Sequence, residues 1–167
     1  GAFKNNKQNG QGTYTYADGS IYVGDFMDDV KTGQGTKTWG PKTALAGDKY
    51  VGAFKNNKQN GQGTYTYADG SIYVGNFDNN IKVGKGTLTW GPETDLAGHK
   101  YTGDFEDNKQ SGQGTYTYAD GSTYVGGFQN NMKMGHGVKA WPDGNQYTGA
   151  FKDNLRTGQG TYTFANG

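Results

Sequence analysis

The chain has no cysteine among its 167 residues, which excludes disulfides and thiolate metal sites and leaves the redox compartment open. No apolar run approaches the ~18 residues of a membrane span, and no signal-peptide pattern opens at Gly1. The formal net charge is only +1, so the polybasic signal of a nucleic-acid partner is missing. Leu, Ile, Val and Phe together fall below the ~20% under which composition points to disorder. Against these absences stand 31 Gly, 13 Tyr, 8 Phe and 3 Trp. Their placement decides the reading.

Residues 1–24 and 52–75 are identical in sequence. Such self-similarity marks an array of like units, with function carried by what the array presents. A Y-x-G-x-F signature recurs, its glycine at Gly1 (where the Tyr is missing), Gly24, Gly52, Gly75, Gly103, Gly126 and Gly149. A turn-like stretch follows each signature, then G-x-G-T-Y-T-Y or a variant, then a second turn, often A-D-G-S. Both segments alternate with period two, as strands do. Tyr22, Gly24 and Phe26 share one face, as do Gly10, Gly12, Tyr14 and Tyr16; Thr13, Thr15, Val23 and Asp25 take the other. Asp18-Gly19 and its repeats at Asp69, Asp120 and Asp143 are strong turn signals, because glycine supplies positive φ. The G-x-G glycines are expected to lie beneath rings from neighbouring strands, so that one sheet buries its own aromatic face. Each buried ring then contributes up to about 4–6 kcal/mol. The expected fold is all-β: antiparallel hairpins in an elongated, twisted single-layer sheet. Fourteen strands at ~4.8 Å spacing give a rod or half-pipe of roughly 65 Å. The hairpin units fall at about 1–21, 22–49, 50–72, 73–100, 101–123, 124–146 and 147–167.

Alternate units differ. One kind carries a Lys-Gln turn and then Tyr: Lys7 with Tyr14, Lys58 with Tyr65, Lys109 with Tyr116. The other carries an apolar-Lys turn and then Lys or Leu before Trp: Lys31 with Lys37 and Trp39, Lys82 with Leu88 and Trp90, Lys133 with Lys139 and Trp141. The seventh unit, with Leu155-Arg156 and Tyr162, is a hybrid. Duplication of a two-hairpin unit accounts for this alternation. Insertions after Trp39 and Trp90 carry Leu45 and Leu96 to one edge of the sheet, where loop insertions often mark the binding side of an array.

No catalytic or cofactor constellation emerges. The G-x-G pairs match neither G-x-x-x-x-G-K-[ST] nor a strand-to-helix G-x-G-x-x-G. The D-G aspartates lack calcium-loop spacing, and His99 and His136 are solitary, with no nucleophile at triad spacing. No enzyme activity, cofactor or metal is expected. The lysines Lys7, Lys31, Lys58, Lys82, Lys109 and Lys133 form one row along the hairpin tips. Asp28, Asp29, Asp78, Asp107 and Asp153 lie in the same turns, so the row reads as a solvated mixed-charge edge.

The signature, with N-x-x-x-G-x-G-T-Y-x-Y and A-D-G at a 23-residue period, resembles the MORN repeat (membrane occupation and recognition nexus). Tyr73-Val74-Gly75-Asn76-Phe77 and Gly112 to Gly121 carry it plainly, and the resemblance spans the whole chain. It implies a row of hairpins acting as a scaffold or interaction module, in some members linked to membranes or phosphoinositides. Three functional readings follow. The first is a non-enzymatic scaffold that binds another protein or its own copies, as a piece of a longer array would. The second is a glycan or cell-wall-binding module, and the third, weakest at this net charge, is association with anionic lipid. The candidate interaction surface is Trp39, Trp90, Trp141, Leu45, Leu96, Lys31, Lys82 and Lys133.

Overall fold

The computed structural model describes residues 1–166, one short of the last expected unit. Among them are fourteen strands and no helix. The strands form one unclosed sheet in chain order, each antiparallel to the next. The chain divides at Ile81/Lys82 into two compact units. The first holds β1 (Ala2–Lys4), β2 (Lys7–Thr15), β3 (Ile21–Met27), β4 (Val30–Thr38), β5 (Lys49–Lys55), β6 (Lys58–Thr66) and β7 (Ile72–Asp78). The second takes nearly all of β8 (Ile81–Thr89), then β9 (Lys100–Glu106), β10 (Lys109–Thr117), β11 (Thr123–Gln129), β12 (Met132–Ala140), β13 (Gln146–Lys152) and β14 (Leu155–Thr163).

Within each repeat the two strands are joined by two Asn or Asp residues, both with positive φ: 50° and 69° at Asp28-Asp29, 51° and 67° at Asn130-Asn131. This is the turn whose twist matches that of the flanking strands, and Asn and Asp are among the few side chains that tolerate it. Every non-glycine residue with positive φ in the described chain sits in such a turn. The D-G loops connect one repeat to the next.

The second turn residue also ties its repeat to the one before. Asn131 donates its backbone N–H to the Gln110 carbonyl at 3.1 Å, and its Oδ1 accepts the Gln110 N–H at 2.8 Å. Asp29 does the same to Gln8, and Asn154 to Lys133. A side-chain oxygen thus supplies the acceptor that a further strand residue would have offered.

The two glycines of each G-x-G pair have different duties, which corrects the expectation that both lie under rings. The first has positive φ, as at Gly33 (57°) and Gly112 (57°). It forms a bulge that shifts the register against the preceding strand, between Ser111 and Gly114 on β10, as glycine at a bulge commonly does. The Asp104 carboxylate accepts the N–H of Gln113 beside it at 3.1 Å. The second glycine lies under a tyrosine. A Cβ on Gly114 would come within 2.5 Å of the Tyr101 ring, and one on Gly63 within 2.4 Å of Tyr50. That ring also comes from the signature two residues before its own glycine, so Tyr101 covers both Gly103 and Gly114.

Tyr22, Tyr50, Tyr73, Tyr101 and Tyr124 are fully buried, and the Tyr101 hydroxyl donates to the Asp104 carbonyl at 2.9 Å. Burial, with the nearby Asp104 charge, raises the Tyr101 pKa; the hydrogen bond to Asp104 opposes it. Tyr22, Tyr50, Tyr101 and Tyr124 each meet two phenylalanines edge-on. Tyr101 lies 5.2 Å from Phe105 and 4.8 Å from Phe128, and Tyr124 lies 5.3 Å from Phe128 and 4.8 Å from Phe151. Such T-shaped pairs add about 0.5–1.5 kcal/mol each beyond burial. This zigzag is the core. The opposite face sets β-branched residues side by side, Thr13, Val23 and Thr36 in one row.

The two-residue turn also corrects the lysine row. Lys7 is the first residue after its turn and pairs with Lys4, whereas Lys31 is the second and pairs with Phe26. Side chains alternate between faces, so the row splits. Lys7, Lys58 and Lys109 are exposed on one face. Lys31 and Lys133 lie on the aromatic face opposite Phe26 and Phe128, at the position Gln59 and Gln110 hold opposite Phe54 and Phe105. Those two glutamines are buried.

Candidate interaction site on the aromatic face

Each unit opens its aromatic face into a groove. In the second unit the groove encloses about 540 Å³ and is lined by Leu88, Trp90, Leu96, His99, Tyr116, Tyr118 and Lys133, with Asn108, Asn131 and Asn154 among the turn residues along it. The insertion after Trp90 closes on itself: Trp90 N–H donates to the His99 carbonyl at 3.0 Å, and His99 N–H to the Leu96 carbonyl at 2.9 Å. This brings Leu96 and His99 to the same wall. Trp90 stacks at a tilt on Tyr116, centroids 5.4 Å apart. His99 meets Tyr116 and Tyr118 edge-on at 5.5 and 5.4 Å, with Nδ1 2.8 Å from the Tyr116 hydroxyl. Burial pushes the Tyr116 phenol up to about 12, with a smaller push from Tyr118.

Lys133 lines the groove, and Lys139 borders it over the ring of Tyr118. The Lys133 ammonium stands 5.4, 5.1 and 5.7 Å from the centroids of Tyr116, Tyr118 and Tyr124. That of Lys139 stands 3.9 Å from Tyr118 and 5.5 Å from Trp141. Cation–π attraction of about 0.5–2 kcal/mol holds such groups over rings. Burial lowers the Lys133 pKa, and the Lys139 charge lowers it further. Burial also lowers that of Lys139, where the Asp120 charge opposes the shift and Arg156 adds to it.

The first unit's groove, about 560 Å³, is lined by Phe3, Gln8, Tyr14, Tyr16, Phe26, Asp29, Lys31 and Asn57. Lys31 donates to the Tyr16 hydroxyl at 2.6 Å and lies 5.2 Å from that ring. Lys37 stands 5.5 Å from Tyr16 and 4.7 Å from Trp39. The lysine pair over a tyrosine therefore occurs once in each unit.

Of the residues picked from the sequence, Trp90, Leu96 and Lys133 meet in one groove and Lys31 lines the other. Trp39 stacks on Tyr65 at 5.3 Å and Trp141 on Tyr162 at 5.6 Å, while Leu45 is exposed in its loop. Lys82 is partly buried, and burial lowers its pKa. Sequence reasoning passed over Tyr118, Lys139 and His99 as site residues. The i, i+2 spacing of Lys139 near the end of β12 and Trp141 just past it was the available signal, since it sets ammonium and indole on one face. Among the described residues no three His, Asp or Glu side chains gather as metal ligands would.

The family model for the MORN repeat matches residues 1–21, 22–43, 50–72, 73–93, 101–123, 124–146 and 147–167. Among curated proteins none matches. One solved structure that overlays the chain is the SAS-4 TCP domain of Drosophila melanogaster in complex with a proline-rich motif of Ana2. Identity is 15% and the TM-score 0.45, over 92% of this chain and 88% of that one.

Proposed function

Because the chain belongs to the MORN-repeat family, we propose that it is a non-enzymatic protein-binding module whose aromatic groove in residues 82–166 receives an extended segment of a partner. The observation that carries this reading is the wall of Trp90, Leu96 and Tyr116 beside an open groove of about 540 Å³. Trp90 and Leu96 lie outside the buried Tyr-Phe core, which supplies the packing. Aromatic anchors flanked by polar side chains are what interaction hot spots are made of. An aromatic-lined groove suits a chain in extended conformation.

Selection of displayed random peptides on the full chain tests the reading. Enriched peptides are expected to lose at least about tenfold in affinity on Trp90→Ala or Leu96→Ala, with the far-ultraviolet dichroism of the variants unchanged. Peptides that bind both variants as well as the parent, or no enrichment at all, would overturn it.

A further inference from the structure

Two ammonium groups share one ring in the second unit. Lys133 lies 5.1 Å and Lys139 3.9 Å from the centroid of Tyr118. Both are partly withdrawn from water, and the charge of each is disfavoured by burial. Like charges brought together on a half-buried surface repel at short range, and a single anion between them would relieve that repulsion. Asp120, whose charge reaches Lys139, has its carboxylate held by the Ser122 N–H at 2.8 Å and the Ser122 hydroxyl at 2.6 Å. No Asp or Glu is among the residues lining the groove. The turn position that holds Asp29 in the other groove is Asn131 or Asn154 here. Leu88, Trp90 and Leu96 complete the wall with apolar surface.

We propose that this groove is specific for an acidic segment of a protein partner, one carboxylate lying between Lys133 and Lys139 over Tyr118 and a neighbouring apolar side chain against Trp90 and Leu96. The proposal rests on the protein-binding reading above and adds the chemistry of the partner. Charge complementarity selects the occupant. Two ammoniums match one carboxylate in a charge-assisted pair. Recognition of an anionic membrane instead draws on clusters of roughly four to eight basic residues, and a net charge of +1 supplies no such field.

The test uses the full chain and a fluorescent Glu-Pro-Leu repeat peptide, with the Gln-Pro-Leu repeat as its uncharged counterpart. The glutamate peptide is expected to bind at least about tenfold more tightly, as charged hydrogen bonds warrant, and to weaken as salt rises. Lys133→Gln with Lys139→Gln should erase the difference between the peptides, and Lys133→Arg with Lys139→Arg should keep it. Thermal melts of both double variants verify that the fold persists. Equal binding of the two peptides, still sensitive to Trp90→Ala, would overturn the anion site while the protein-binding reading stands. Binding of neither peptide would overturn the anion site, and the displayed-peptide selection would then decide the broader reading alone. Vesicles of phosphatidylcholine with and without a phosphoinositide form the last arm. Vesicle binding that is lost in the Gln double variant, with the peptides indifferent to it, would assign the site to a lipid headgroup and overturn the proposal.

Discussion

The two grooves share a plan and differ in charge. Both set a lysine pair over a tyrosine, Lys31 and Lys37 over Tyr16 in one, Lys133 and Lys139 over Tyr118 in the other. Each unit also stacks a tryptophan on the tyrosine of the next repeat, 5.3 Å for Trp39 on Tyr65 and 5.4 Å for Trp90 on Tyr116, but only Trp90 lines a groove. The first unit adds carboxylates. Asp29 lines its groove, and Asp48, 5% exposed, accepts the Tyr65 hydroxyl at 2.5 Å and the Ala68 N–H at 2.9 Å. In the second unit the counterpart of Asp48 is His99, which faces the Tyr116 hydroxyl from the groove wall. A common framework can therefore carry two surfaces of different charge, with a few positions outside the Tyr-Gly-Phe core setting which is which.

Three sets of substitutions sharpen or break this comparison. The largest effect belongs to the part the units share. Gly63→Ala and Gly114→Ala would each drive a Cβ to within 2.5 Å of a fully buried ring. Overpacking of that kind costs about 1–3 kcal/mol and occasionally more, and both variants should sit at the upper end by equal amounts in urea titrations. Gly135→Ala is the control. Nothing lies within 4 Å of its Cβ position, and the expected cost is only the positive-φ penalty of about 1–2 kcal/mol. Unequal losses at Gly63 and Gly114 would show that the shared plan is not shared in energy.

The next effect separates the units. Asp48→Ala leaves the Tyr65 hydroxyl and the Ala68 N–H without their acceptor in a buried position, a loss of about 1–3 kcal/mol. His99, itself half-buried, makes a single hydrogen bond to the Tyr116 hydroxyl, so His99→Ala should cost less, about 1 kcal/mol. Paired thermal melts give the ranking, and a His99 variant worse than the Asp48 variant would reverse the assignment of structural and surface roles. The smallest effect lies on the opposite face. Lys85 meets Asp104 at 2.7 Å with its own side chain 73% exposed, and the hydrogen bond from Lys85 is the leading cause that holds the Asp104 carboxyl below its usual range, with burial opposing it. The first unit has Gln34 at the matching position, opposite Ala53. Lys85→Ala should cost under about 1 kcal/mol, with the difference vanishing in high salt. A larger, salt-insensitive loss would mean the pair has a packing role.

The hairpin array was legible because period-two alternation placed tyrosine, glycine and phenylalanine on one face, and that placement is what the sheet buries. The duties of the glycines were legible only as a group. That Gly112 bends the strand while Gly114 admits a ring depends on a register shift that the letters G-Q-G do not announce. The lysine row was misread for a related reason. Lys7 and Lys31 both follow a turn, but one position of difference puts them on opposite faces. Only a turn fixed at two residues decides between them. Tyr118 and His99 escaped because their importance lies in which repeats meet across the sheet, not in local spacing. Trp90, Leu96 and Lys133, which meet in one groove, stood out in the sequence because they belong to the units that vary.

The paired hydrogen bonds from each turn to the repeat before it give the array a direction. Asn131 reaches back to Gln110, and Asn154 back to Lys133, each carrying its own fastener. This fastener asks of its predecessor only an extended backbone after the turn, which every repeat offers whatever its side chains there. A two-hairpin block can then be copied and inserted without altering the junctions on either side. Residues 1–24 and 52–75, identical to the letter, are what such tolerance of recombination leaves in a gene. The same property makes the number of repeats, and with it the number of grooves, free to change in evolution or by design.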